Sequence, residues 1–159
     1  LLASTKLPIM KVLFFVAAVV AVSLAQDQGP PPLPKFLDGA DQATKDAFAA
    51  LAQTFKDDTD KQVEDAVQQF VNDHPAIKDA YEAEKKEVLA AQQAAEEEHK
   101  KLVASLPPEA QKADAELTAI ADDASLTLAA KHDKIVQTFE SLPPAVKEEL
   151  NKLNQQGQS

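Results

Sequence analysis

The chain has 159 residues, 16 basic and 26 acidic side chains, a net charge of −10, no cysteine and no arginine. Its length fits one domain. The absence of cysteine excludes thiol nucleophiles, redox pairs and disulfides; the acid excess excludes nucleic acid and anionic membrane surfaces as partners; and without arginine there is no bidentate fork for phosphate or carboxylate recognition.

Residues 1–9 precede the single methionine, Met10, and read as an upstream, non-native segment. From there Lys11 is a short positive region, Val12–Val22 an apolar run and Ser23-Leu24-Ala25 a small-residue cleavage site. This is the pattern of a secretory signal peptide over 10–25, and the apolar run is too short to span a bilayer. Cleavage after Ala25 removes Lys6 and Lys11 and no acid, taking the charge from −10 to −12. The expected product is secreted, extracellular and free of the membrane. None of Asn72, Asn151 and Asn154 is followed by Ser or Thr two residues on, so no N-glycan is expected.

Residues 26–40 form a proline-rich arm. Its four prolines and one glycine before Lys35 exclude a helix, and Leu33, Phe36 and Leu37 are expected to lie on the domain that follows. The helical domain covers 41–153. Asp41 opens a first helix with Phe48, Leu51, Ala52 and Phe55 as its stripe, ending at Lys56-Asp57-Asp58. Thr59 caps a second helix, and Gln62 completes a capping box. Val63, Ala66, Val67, Phe70 and Val71 then give an unbroken helical period, ended by Asn72-Asp73-His74-Pro75.

From Ala76 to Ser105 the composition turns to Ala, Glu, Lys and Gln with a thin apolar stripe. The pairs Glu82–Lys86, Glu96–Lys100 and Glu97–Lys101 stand at favourable i,i+4 spacing. One long, partly exposed helix of roughly 43 Å is expected here, stopped by Leu106-Pro107-Pro108. A helix over 110–122 follows, with Ala113, Leu117, Ile120 and Ala121 on one face. It meets the acidic break Asp122-Asp123-Ala124-Ser125. Thr127 caps the next helix, which carries Leu128, Lys131, Ile135, Val136 and Phe139. Ser-Leu-Pro-Pro occurs at 105–108 and again at 141–144, each marking a helix start. A last helix, Ala145–Leu153, buries Val146, Leu150 and Leu153, and 154–159 is a polar tail. No run alternates as a strand would. The fold class is therefore all-α, with about six helices.

Helix, acidic break and helix occur twice, around Asp57-Asp58-Thr59-Asp60 and around Asp122-Asp123. Gln-Thr-Phe also recurs, at 53–55 and 137–139. Two EF-hand-like units joined by a long central helix are expected. The EF-hand calcium template fails from Asp58 onward. Asp60 stands at position 3, but Val63 replaces the glycine at position 6 and Gln69 the bidentate glutamate at position 12. Magnesium needs only one or two carboxylates and its own waters, so Asp57, Asp58 and Asp60, and after them Asp122 and Asp123, are the candidate metal ligands. The same aspartates serve equally as caps that complement helix dipoles.

The run ADAELTAIADDASLT, with SLPP before it and ESLPPAVKEELNKL after it, resembles the nematode SXP/RAL family of secreted antigens and allergens. The arm PPLPKFLDGA at 31–40 looks like the start of that family's mature chain. The resemblance covers roughly Pro31–Leu153, dense at 105–128 and loose at 80–100. It implies a cation-binding, calmodulin-like helical domain that favours magnesium, and host antibodies as partners.

No other chemistry stands out. His74, His99 and His132 are scattered without a zinc partner at i+4, and His74 and His99 read as solvated. No nucleophile elbow or glycine-rich loop frames the Ser, His and Asp present, so no catalytic residue is expected. A carrier of a small apolar ligand, a fatty acid or retinoid, is the alternative; against it, an Ala-rich face closes a core more readily than it leaves room for an acyl chain. A purely structural secreted scaffold is the third reading.

Overall fold

The computed structural model describes residues 33–156. The signal segment, its cleavage site, the first part of the arm and the end of the tail lie outside them. Six α-helices follow one another: α1 (Gln42–Ala52), α2 (Asp60–Asp73), α3 (Lys78–Ala104), α4 (Pro108–Ala121), α5 (Leu128–Ser141) and α6 (Pro144–Gln156). Three 3₁₀ turns, Lys35–Leu37, Phe55–Asp57 and Pro75–Ile77, lie before α1, α2 and α3. Among the described residues the sole β-type pairing is an isolated antiparallel bridge between Thr59 and Thr127.

Local chemistry sets most helix starts. The Asp41 carboxylate accepts from the Thr44 amide at 2.8 Å, so one orphan donor of α1 is satisfied. Thr59 and Gln62 make the expected capping box on α2, with Gln62 Oε1 accepting from the Thr59 amide at 2.8 Å. Thr127 Oγ1 accepts from Ala130 N on α5. Helix α1 stops at Ala52, earlier than the periodicity suggests. Phe55 reaches the core from a 3₁₀ turn instead, held by Asp58 N donating to Phe55 O at 3.1 Å.

The corner from α3 to α4 and the corner from α5 to α6 share one construction. Ser105 Oγ donates to Leu102 O and Ser141 Oγ to Thr138 O, three residues back in each case. Leu106 N and Leu142 N close the turns onto Val103 O and Phe139 O. A proline, Pro108 or Pro144, then opens the new helix at the position where a missing N–H costs nothing.

Two apolar cores result. The first gathers Phe36 and Leu37 from the arm with Phe48, Phe55, Val63, Val67, Phe70, Val71, Ile77, Tyr81 and Leu128. Edge-to-face ring contacts run through it: Phe36 meets Phe48 and Tyr81 at 5.4 Å, and Phe48 meets Phe55 at 6.3 Å and Phe70 at 5.3 Å. Each such pair adds roughly 0.5–1.5 kcal/mol beyond its buried area. The arm is fixed to α3 by Glu84, whose carboxylate accepts from Phe36 N at 2.5 Å and Lys35 N at 3.3 Å. The second core joins Ala110 and Ala113 of α4 to Val146 and Leu150 of α6, with Leu117, Phe139 and Leu142 against them. Helix α5 belongs to both, through Leu128 at one end and Phe139 at the other.

Helix α3 has 27 residues and buries only Tyr81 and Gln92 fully. Among the described residues none of its expected i,i+4 ion pairs forms; Lys100 pairs with Glu97 instead, at 3.2 Å. Exposed pairs of this kind are worth a few tenths of a kcal/mol, too little to fix one geometry. Val136, expected along the apolar face of α5, is 38% exposed. No described helix is long and apolar enough to cross a membrane.

Candidate functional site

The two acidic breaks lie against each other. In the first, Phe55 is buried and anchors the turn, leaving Asp57 exposed and Asp58 half-buried. In the second, Asp123 Oδ1 accepts from Ser125 N at 3.0 Å and from Ser125 Oγ at 2.5 Å, a local turn of the kind aspartate favours. The Asp58 carbonyl accepts from Leu128 N at 3.0 Å, beside the Thr59–Thr127 bridge. Each threonine is the N-cap of the helix that follows, so α2 and α5 start from one place.

The five aspartates singled out by sequence have different surroundings. Asp57 and Asp58 make no side-chain hydrogen bond among the described residues. Asp60, the first residue of α2, is 3% exposed, and its Oδ2 accepts from the Lys131 ammonium. That ammonium, equally buried, also donates to the carbonyl of Ala121, the last residue of α4, at 2.7 Å. Asp60 Oδ1 is buried without a hydrogen bond, and so is Asp122 Oδ1. Burial pushes the Asp122 carboxyl above the usual carboxylate range; Lys131 opposes this, while Glu96 and Asp60 add to it. Asp123 is held below that range, first by the Ser125 hydroxyl and then by the Ser125 amide.

Lys131 is the member that sequence reasoning missed in this role. Its place on the helix was legible, one turn beyond Leu128 on the apolar side. A lysine is almost never fully buried unless paired, so its position announces a counter-charge. The identity of that partner, 71 residues away, is not a local property of the sequence.

Among the described residues no three His, Cys, Asp or Glu side chains come close enough together to hold a metal ion. A closed calcium cage of six or more oxygens does not fit this arrangement. Asp60 is engaged by an ammonium and Asp123 by its own turn. What remains open to solvent, Asp57 and Asp58, suits at most a cation that keeps most of its waters.

His74 departs from expectation, and His99 gains a partner. His74 is half-buried, stacked on Phe70 at 4.2 Å, with Nδ1 2.8 Å from Phe70 O, so Nδ1 carries the proton and donates. His99, also half-buried, places Nε2 3.1 and 3.2 Å from the two carboxylate oxygens of Asp114, linking α3 to α4. His74 is therefore not a solvated side chain, whereas the His99 ring remains 44% exposed while it pairs with Asp114. The groove on the outer face of α3, about 390 Å³, is lined by Glu82, Lys85, Lys86, Leu89, Ala90 and Gln93. All six come from one helix and three are charged, a poor lining for an acyl chain.

The family model described as SXP/RAL-2 family protein Ani s 5-like, metal-binding domain, matches residues 8–156. The chain is 37% identical over 144 residues to the SXP/RAL-2 family protein Ani s 5 of Anisakis simplex, spanning 90% of this chain and 95% of that one. It is 34% identical over 119 residues to the OV-17 antigen of Onchocerca volvulus, spanning 74% and 73%. No solved structure matches significantly.

Proposed function

The chain belongs to the SXP/RAL-2 family, and on that premise we propose that it is a secreted, non-enzymatic nematode protein of the antigen type that holds magnesium weakly at its paired acidic breaks. The observation that carries the cation part is the Thr59–Thr127 bridge with the Asp58–Leu128 hydrogen bond, which sets both breaks side by side. Asp57, exposed, and Asp58, half-buried, lie just before α2 and would bind the ion's water shell. Asp60 and Asp122 lie deeper, beside Lys131, and Asp123 is spent on its turn. The family's description as a metal-binding domain supports this reading, and the description of the Onchocerca volvulus relative as an antigen supports host antibodies as partners.

Binding is weak for a physical reason. The N-terminus of α2 already stabilises its nearby carboxylates, so a cation gains less there than at an isolated acidic pair. Magnesium also dehydrates reluctantly and uses few protein ligands, whereas calcium needs the bidentate glutamate that Gln69 replaces. An amide chemical-shift titration with each ion tests the reading. Shifts centred on 57–64 and 122–125 under magnesium, lost in Asp57→Asn/Asp58→Asn, are expected. Equal shifts for both ions, spread over the whole acidic surface, would show only screening and retire the site.

A further inference from the structure

We propose that Lys131 is the resident cation of the paired breaks: its ammonium fills an interior oxygen site that would otherwise take a hard divalent metal ion.

The site is built where three helices end or begin. Helix α4 presents the carbonyl of its last residue, Ala121, at 2.7 Å from Nζ. Helix α2 presents the carboxylate of its first residue, Asp60. Helix α5 supplies the lysine from its first turn, a position where the dipole of its own helix disfavours a positive charge. The C-terminal end of α4 favours one, and that is where the ammonium sits. The head group is thus held by what surrounds it and not by the helix that carries it.

The oxygens present exceed what one ammonium uses here. Asp60 is 3% exposed, yet its Oδ1 has no hydrogen-bond partner; Asp122 Oδ1 is likewise buried and unbonded. Asp122 interacts electrostatically with Lys131, Asp60 and Glu96, which places it in the same neighbourhood. Carboxylate oxygens and a helix-terminal carbonyl, with acids in excess, are the donor set a hard cation prefers. A lysine is a compact charge on a flexible stem and can occupy such a place permanently. The interior position is filled by the chain itself, and external divalent ions reach only the rim. The inference does not rest on weak rim binding, which Asp57 and Asp58 report separately.

The test uses the full chain, native and Lys131→Met, with magnesium for thermal melts and manganese as a paramagnetic probe, against potassium chloride of equal ionic strength. The native protein should melt at the same temperature with magnesium or chelator. Lys131→Met should melt lower in chelator and regain several degrees with magnesium, saturably. In an Asp57→Asn/Asp58→Asn background, which removes the rim ligands, manganese should broaden the amides of Asp60, Ala121 and Asp122 when Lys131→Met is added and spare them while Lys131 is present. Adding Asp60→Asn should abolish both effects. A folded Lys131→Met that melts alike with and without magnesium would overturn the proposal, as would manganese broadening of those three amides in the Asp57→Asn/Asp58→Asn chain that keeps Lys131. If the variant folds under neither condition, the native ammonium decides. A slowly exchanging Lys131 Nζ signal unmoved by magnesium supports the proposal, and one displaced by magnesium overturns it.

Discussion

Asp60 shows what a single carboxylate can be asked to do. It opens α2, lies 3% exposed and neutralises a lysine that has no access to water. Removing one member of a buried pair leaves the other charged and uncompensated, which costs about 3–5 kcal/mol. Asp60→Ala should therefore lose about that much in urea unfolding; a loss under about 1 kcal/mol, typical of a surface change, would mean the pair is solvated. Asp122 behaves oppositely. Its carboxyl is raised by burial, so the folded chain holds that proton more tightly than the unfolded one. Acid then favours folding at this position, and the contribution fades as pH rises through the raised value. Asp122→Asn should consequently be more stable than the native chain at neutral pH, with the difference closing as pH falls through the acid range; urea midpoints across pH measure it. At this scale the sequence was legible at the helix caps, where partners are close along the chain and the backbone fixes their geometry. Thr59 and Gln62 are three residues apart and were read directly, as was Asp41 at the start of its helix. Asp60–Lys131 depends on the fold bringing two distant helix ends together, and no spacing rule encodes that.

Among the elements, α2 was the most legible and proves the most deeply seated. Its apolar positions follow one face without a gap, and Val63, Val67, Phe70 and Val71 are all buried. Phe70 touches the Phe48 ring on one side and stacks with His74 on the other. Phe70→Ala should cost roughly 3–5 kcal/mol in chemical unfolding, the range for emptying an aromatic site in a core. Helix α3 was legible in extent but not in partners. Its stripe of alanines leaves most of it exposed, and the one aromatic on it, Tyr81, does the docking for its first turns. The Glu84 contact to the arm was invisible in sequence, because a carboxylate on a charged helix has many possible neighbours and only the position of Phe36 selects this one. The early end of α1 was missed for a related reason: Phe55 keeps helical spacing from Phe48 while sitting in a 3₁₀ turn.

The whole molecule rests on two apolar cores with the lysine-centred ion pair close to where α2, α4 and α5 meet. The single tyrosine, Tyr81, is buried in the first core, so its near-ultraviolet signal reports that half alone. Leu150 is 3% exposed in the second. Leu150→Ala should cost about 2–5 kcal/mol, and helical signal should fall before the Tyr81 signal does; coincident transitions would show one cooperative unit instead. The helix count and order were legible because each break carries its own turn chemistry. The division into two cores was not, since it depends on which helices pack together and not on any one of them. The repeated Ser-Leu-Pro-Pro corners carry a consequence for self-association. Chains exchange segments with a neighbour most readily when a corner can straighten and fuse two helices into one. Proline at the first position of α4 and of α6 denies that route, because inside a continuous helix it would lack a donor and clash with the preceding turn, at about 3 kcal/mol or more for each. Both corners therefore keep α4, α5 and α6 folded back within their own molecule, and a crowded solution of this protein has no easy path to interlocked dimers through them.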